Sequence, residues 1–405
     1  MIRLLLFLTV SVVINASSIV VSKENGMSLE SALSKTKADT IVIKKGVYHL
    51  RNVIISRKVV IIGENLPVID AGGKGSIFFV RANNVTIKGL KLINSEVNYK
   101  FENAAIRLEE VSDCSIVSND LYNNFFGIYL QKTGRITLSG NKILSFAKQE
   151  TNSGNGIHLW NCNFTTISGN TISGHRDGIY LEFSKNNQIE GNSAKRNLRY
   201  GLHFMFSDSS RYYKNRFSEN GAGVAVMYSS RIEMTENIFF DNKGPASYGL
   251  LLKDINFSTI RKNTFSGNTK GIYLEASGRS KIENNIFVNN GWAIELMANS
   301  MDNEFTGNNF YSNNFDVATN SRQNFNKFSG NYWDNYSGYD INKDGFGDVP
   351  YHPVSLFSVI VTEYKPALIL MRGLFTRLLD FAERVFPSLT PKQLIDEKPR
   401  MRSLT

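Results

Sequence analysis

His158, His203, Met205 and Met227 are the side chains in this 405-residue chain whose types suit one chemistry together. Neutral imidazole and thioether sulfur are ligands that favour Cu(I), whereas zinc prefers thiolates and His. Exposed Met on a polar face also leaves apolar area in water, which calls for an explanation. His203, Met205 and Met227 form the centre of the candidate site. His158 stands two repeats from His203 and is its outer member. The competing reading is a patch in which Trp160, Tyr180 and Met297 join these residues to dock a protein partner.

What places them together is a repeat. Gly or Ala followed by apolar, variable, apolar returns almost every 22 residues, from Ala105-Ile-Arg-Leu through Gly178-Ile-Tyr-Leu to Ala293-Ile-Glu-Leu. A second beat of Asn keeps step with it, from Asn119 to Asn331. Two markers at one period with strand-like alternation predict a solenoid of three short strands per coil, an all-β, right-handed parallel β-helix. The Asn residues are expected at the turn after the second strand, where each amide bonds its neighbour in the next coil.

In each coil the variable residue and the one after the motif face outward, giving two columns on one surface. The first runs Tyr129, His158, Tyr180, His203; the second runs Trp160, Glu182, Met205, Met227. Coils rise about 4.8 Å apart, so side chains of neighbouring coils meet. Two gaps from Asn to the next Gly exceed the usual eight residues: fifteen after Asn141 and twelve after Asn237. The extra residues, 146–153 and 241–247, leave from the same turn and are expected to wall in the coils that carry the His and Met. Neutral surface insertions are the alternative.

This surface also admits a carbohydrate-active enzyme, a uronate lyase, hydrolase or epimerase, or a glycan-binding module. Hydrolysis calls for paired carboxylates about 5–10 Å apart. Glu182 has no second acid in its columns; Asp177 could supply one from the preceding turn, and His175 with Arg176 could serve a lyase. The other reading of that cluster is a turn cap.

The ends read differently. Residues 1–16, with Arg3 ahead of an apolar run and Ala16 at its end, predict a cleaved export signal too short to span a membrane. Residues 17–104 hold an N-terminal cap, with a helix expected over 28–34, and the first coils; 105–331 are regular coils. Cys114 and Cys162 fall at different offsets two coils apart, which predicts no disulfide. The charge of +10 is scattered, which argues against nucleic acid. In the cap at 332–363, Asp340, Asn342, Asp344 and Asp348 around Gly345 match half of a calcium loop, with Tyr351 where the closing Glu would stand. A self-capping turn is the alternative. Within 364–405 an amphipathic helix is expected over 364–386, with Leu368, Met371, Phe375, Leu378 and Phe386 on one face to pack back, lie on a membrane or dock into a membrane protein. A Pro-punctuated tail follows, suited to lying along a partner.

The coil motifs, together with Gly330-Asn-Tyr-Trp-Asp-Asn-Tyr-Ser-Gly-Tyr-Asp and Asp344-Gly-Phe-Gly-Asp-Val-Pro-Tyr, make the mature chain resemble the NosD family. The resemblance implies a non-enzymatic periplasmic β-helix working with an ABC transporter, made of an ATPase and a membrane permease. It would accept Cu(I) from a copper chaperone and pass it to nitrous oxide reductase, with the motion of the permease transmitted through the C-terminal segment.

Overall fold

A computed structural model describes residues 17–371 and 373–403; the expected export signal lies outside them. Each regular coil contributes three short strands, for example Asp177–Glu182, Gln188–Glu190 and Ser193–Lys195. Strands of equal rank stack in parallel, and among the described residues they form sheets of 12, 14 and 13 strands. This is the expected parallel β-helix. The alternation explains it: Ile179, Leu181, Ile189 and Ala194 point into the coil and are fully buried, and each branched side chain so buried contributes about 1.5–3 kcal/mol.

The two glycine positions of the repeat have different causes. At Gly178 a Cβ would lie 2.5 Å from the Gly201 carbonyl oxygen of the next coil, so the backbones approach too closely for a side chain. Gly191, before the repeated Asn192, has φ +61°, where a side chain is strained.

The repeated Asn residues form the expected ladder, each amide donating to the next Oδ1 at 2.9–3.1 Å from Asn119 to Asn331. A second ladder, overlooked in the sequence, runs from Asn197 to Asn313 and ends on Asp316. Its signal is an Asn five residues after the first, as in Asn192 and Asn197.

Helix α1 (Leu29–Lys35), capped by the Ser28 hydroxyl, buries Leu29, Ala32 and Leu33 over the first coil. At the other end the tail departs from expectation. It lies on its own chain, where Asp396 caps the first ladder: its carboxylate accepts from the Asn331 amide at 2.9 Å, from the Gly330 and Asn331 backbone and from Trp333 Nε1. The reason is that the last rung would otherwise leave buried donors unpaired. Asp396 also exchanges both backbone hydrogen bonds with Tyr351, so the helices between them are closed at their base.

Those helices begin earlier than predicted. α2 (Leu356–Glu363), capped by Ser355, buries Phe357 and Val361 against Phe315. A 3₁₀ turn over Lys365–Leu370 follows, since Pro366 cannot extend α2, and α3 (Leu374–Val385) starts after Gly373. Among the described residues no helix is long and apolar enough to cross a membrane.

Candidate functional site

The register of the twelve-stranded sheet sets His158, Tyr180, His203 and Ala225 side by side on successive coils, with Trp160, Glu182, Met205 and Met227 beside them. The first column is not exposed, as the alternation implied: His158 is 8% and His203 3% accessible. Successive rings of the column touch, with Tyr129, His158, Tyr180 and His203 centroids 4.6, 4.9 and 4.9 Å apart in turn, the first pair stacked and the next two at steep angles. The insertion at 146–153 reaches this face, with Glu150 near Arg199 and Tyr200. It packs on a neighbouring loop at 94–103, missed in the sequence, through the Tyr99 hydroxyl, which donates to the Glu150 carbonyl at 2.7 Å. Phe126 then closes on His158, ring centroids 5.5 Å apart.

The two imidazoles have opposite settings. Asn155 donates to His158 Nδ1 at 3.0 Å, so the neutral ring carries its proton on Nε2 and has no lone pair left for a metal. Burial, with Arg176 nearby, lowers its pKa to about 3. Tyr180 also stands between the two rings. These contacts set His158 apart from the His203 centre.

At His203, Nδ1 lies 3.5 Å from Asp177 Oδ2. Arg199 holds that carboxylate with two hydrogen bonds of 2.8 and 2.5 Å. Burial pushes Asp177 up, but the bonds from Arg199 and His203 outweigh it and hold the group at about 2. The ionised carboxylate beside Nδ1 favours the ring proton there, the arrangement usual for metal-binding His, which would leave the Nε2 lone pair free. Both ring nitrogens are buried, and neither is within full hydrogen-bond geometry of a partner.

Met205 follows His203 by two residues on the same strand, and Met227 is its direct partner on the next coil. Both are half-buried. Met297 is three coils beyond Met227, with the Lys253–Glu275 ion pair between, and takes no part. Trp160 and Tyr180 are half-buried on the same face.

Asp177 opens its strand, pairs between coils with Arg199 and accepts from the Tyr200 backbone. His175 is buried, and burial lowers its pKa to about 4.

In the calcium-type loop, Asp340 accepts from the Asp344 and Gly345 backbone, Asn342 from Asp344, Asp344 from Phe346 and Asp348 from Ile341. The self-capping alternative describes this loop.

On the C-terminal helices, Leu368 and Met371 pack inward with Leu379. Phe375, Leu378 and Phe386 are exposed, and so are Leu374, Phe381 and Val385, which the sequence reading passed over. Their spacing, 374, 378, 381, 385, is itself a helical stripe. The opposite side is fixed by Glu383, which accepts from the Leu356 backbone of α2, so the more apolar side faces out.

Stacked coils of this kind define a parallel β-helix protein. The same fold appears in the Dettilon tailspike protein, with TM-score 0.59 and 15% identity over 72% of this chain and 63% of that one. It appears again in the A-module of the mannuronan C-5 epimerase AlgE6 of Azotobacter vinelandii, with TM-score 0.54 and 13% identity over 74% and 92%. These likenesses concern the fold alone.

The chain belongs to the NosD family. Residues 145–338 match the family model described as periplasmic copper-binding protein (NosD). A Pseudomonas aeruginosa relative named probable ABC transporter binding protein NosD is 30% identical over 370 residues, 87% of this chain and 86% of the relative.

Proposed function

We propose that this chain is exported to the periplasm, where it binds Cu(I) as cargo through His203 Nε2 and the thioethers of Met205 and Met227. It takes the ion from a copper chaperone and passes it to nitrous oxide reductase during maturation, without chemistry of its own. The observation that carries this reading is the buried, unpartnered imidazole of His203, beside the ionised Asp177–Arg199 pair and two residues from Met205 on its strand, with Met227 paired to Met205 on the next coil. The copper-binding description of the family model supports the choice of ion. Loss of Cu(I) affinity on replacing the three donors tests it.

The second half of the proposal is docking. The exposed stripe Leu374, Leu378, Phe381 and Val385 seats on the permease of an ABC transporter and, through it, on the ATPase, in keeping with the name of the P. aeruginosa relative. Because the helices are closed at their base by Tyr351 and Asp396, a movement of α3 reaches the last coil directly. Deleting 364–405 would remove the Asp396 cap as well, so point changes on the stripe are the sound test.

A further inference from the structure

Beyond the His and Met columns the strand turns, and the residue at that turn has positive φ in every coil around the site: Asn161 at 53°, Phe183 at 50°, Phe206 at 49°, Tyr228 at 52° and Asp254 at 50°. Asn and Asp suit this left-handed conformation; bulky aromatic residues do not. Three consecutive coils nevertheless place aromatic residues there, 48%, 44% and 42% exposed. Their rings stack, with centroids 5.3 and 5.0 Å apart and planes 7° and 15° from parallel. Phe206 and Tyr228 each follow directly on Met205 and Met227. The aromatic ridge thus borders the two Met residues along one side.

We propose that the ridge of Phe183, Phe206 and Tyr228 is the docking edge for a Cu(I)-carrying protein that exchanges the ion with Met205 and Met227. The inference rests on the copper reading given above. Both local conformation and exposure work against aromatic residues here; Phe164 and Phe257 break the same rule singly at another turn, whereas these three stand in consecutive coils directly after the Met column. The stacking decides the kind of partner. Both faces of Phe206 are covered by its neighbours, so a sugar ring could stack only at the two ends of the ridge and not along it. What is offered is a row of ring edges, an apolar line that fits a shallow protein surface. Copper then moves by ligand exchange, as Cu(I) throughout, from the donors of one protein to those of the other with no electron transferred.

The test is Phe183→Asn, Phe206→Asn and Tyr228→Asn together, since Asn161 shows that the turn accepts Asn. Copper uptake is followed from two sources: a small-molecule Cu(I) chelate, and the Cu(I)-loaded copper chaperone of the same organism. The expected result is unchanged uptake from the chelate and at least tenfold slower uptake from the chaperone. Equal rates from both sources for variant and wild type would overturn the ridge alone. A wild-type protein that takes no copper from the chelate would overturn the reading beneath it. Binding of alginate oligosaccharides that the variant loses, with chaperone transfer intact, would assign the ridge to glycan instead.

Discussion

Asp177 Oδ2 stands 3.5 Å from His203 Nδ1 across two adjacent coils, and the same carboxylate is gripped by Arg199. The charge of the pair favours a proton on Nδ1, which leaves Nε2 free. Asp177→Asn keeps the shape and removes the charge. Cu(I) affinity is expected to fall about 10–100-fold, as for other partners of metal-binding His. Competition with a Cu(I) chelator measures it; affinity unchanged by Asp177→Asn would mean that Asp177 does not position the ligand. Arg199 is left without its partner, so a loss of stability of roughly 3 kcal/mol should accompany it.

The closing role of Asp396 predicts a stability effect far from the site. Its carboxylate satisfies buried donors of Gly330, Asn331 and Trp333. Asp396→Ala leaves several of them unpaired and should cost on the order of 3–5 kcal/mol. Thermal unfolding followed by circular dichroism reads this directly. A melting temperature equal to wild type would show that the ladder needs no cap.

Asp316 gives a pH signature. Burial, helped by the charge of Asp334, raises its pKa to about 7. A folded-state value above the unfolded one means that the group's stabilisation is complete below about pH 4 and is lost as pH rises through 7. Asp316→Asn keeps an amide at the end of the second ladder and cannot ionise. Relative to wild type it should gain stability between pH 5 and pH 8, on the order of a few kcal/mol. His158 and His175 act the other way, because their folded-state values lie below the ordinary one; wild-type stability from them is lost as pH falls from about 6.5 toward 4. Denaturant midpoints against pH separate the two, and an identical pH profile for Asp316→Asn would refute the buried-acid account.

The exposed stripe of α3 predicts a change in assembly without a change in folding. Leu378→Asp with Phe381→Asp alters side chains 57% and 65% exposed, so unfolding should move by less than about 0.5 kcal/mol. Co-purification with the ABC permease should be lost. Undiminished co-purification would move the docking site elsewhere.

Most of the fold was legible because the coil is a periodic object. Once Gly178-Ile-Tyr-Leu and Gly201-Leu-His-Phe were set in register, His203 and Met205 fell in their columns, and the observed pairing agrees. What the register could not give was depth. Tyr129 and Phe126 cover His158, and neither lies in its own coil. Nor could it give the tautomer, which Asn155 sets for one His and Asp177 for the other. Asp396 was illegible for a related reason: it lies 65 residues beyond Asn331, outside the repeat. The outward face of α3 was not legible because Glu383 is tied to α2, far back in the chain, and fixes how the helix turns.

The most direct test of the account is an anaerobic Cu(I) titration against a competing chelator, comparing wild type with the combined His203→Ala, Met205→Leu and Met227→Leu variant. The account predicts tight binding by the wild type and a loss of at least a hundredfold in the variant, with His158→Ala alone leaving affinity unchanged. Equal affinity of wild type and triple variant would contradict it.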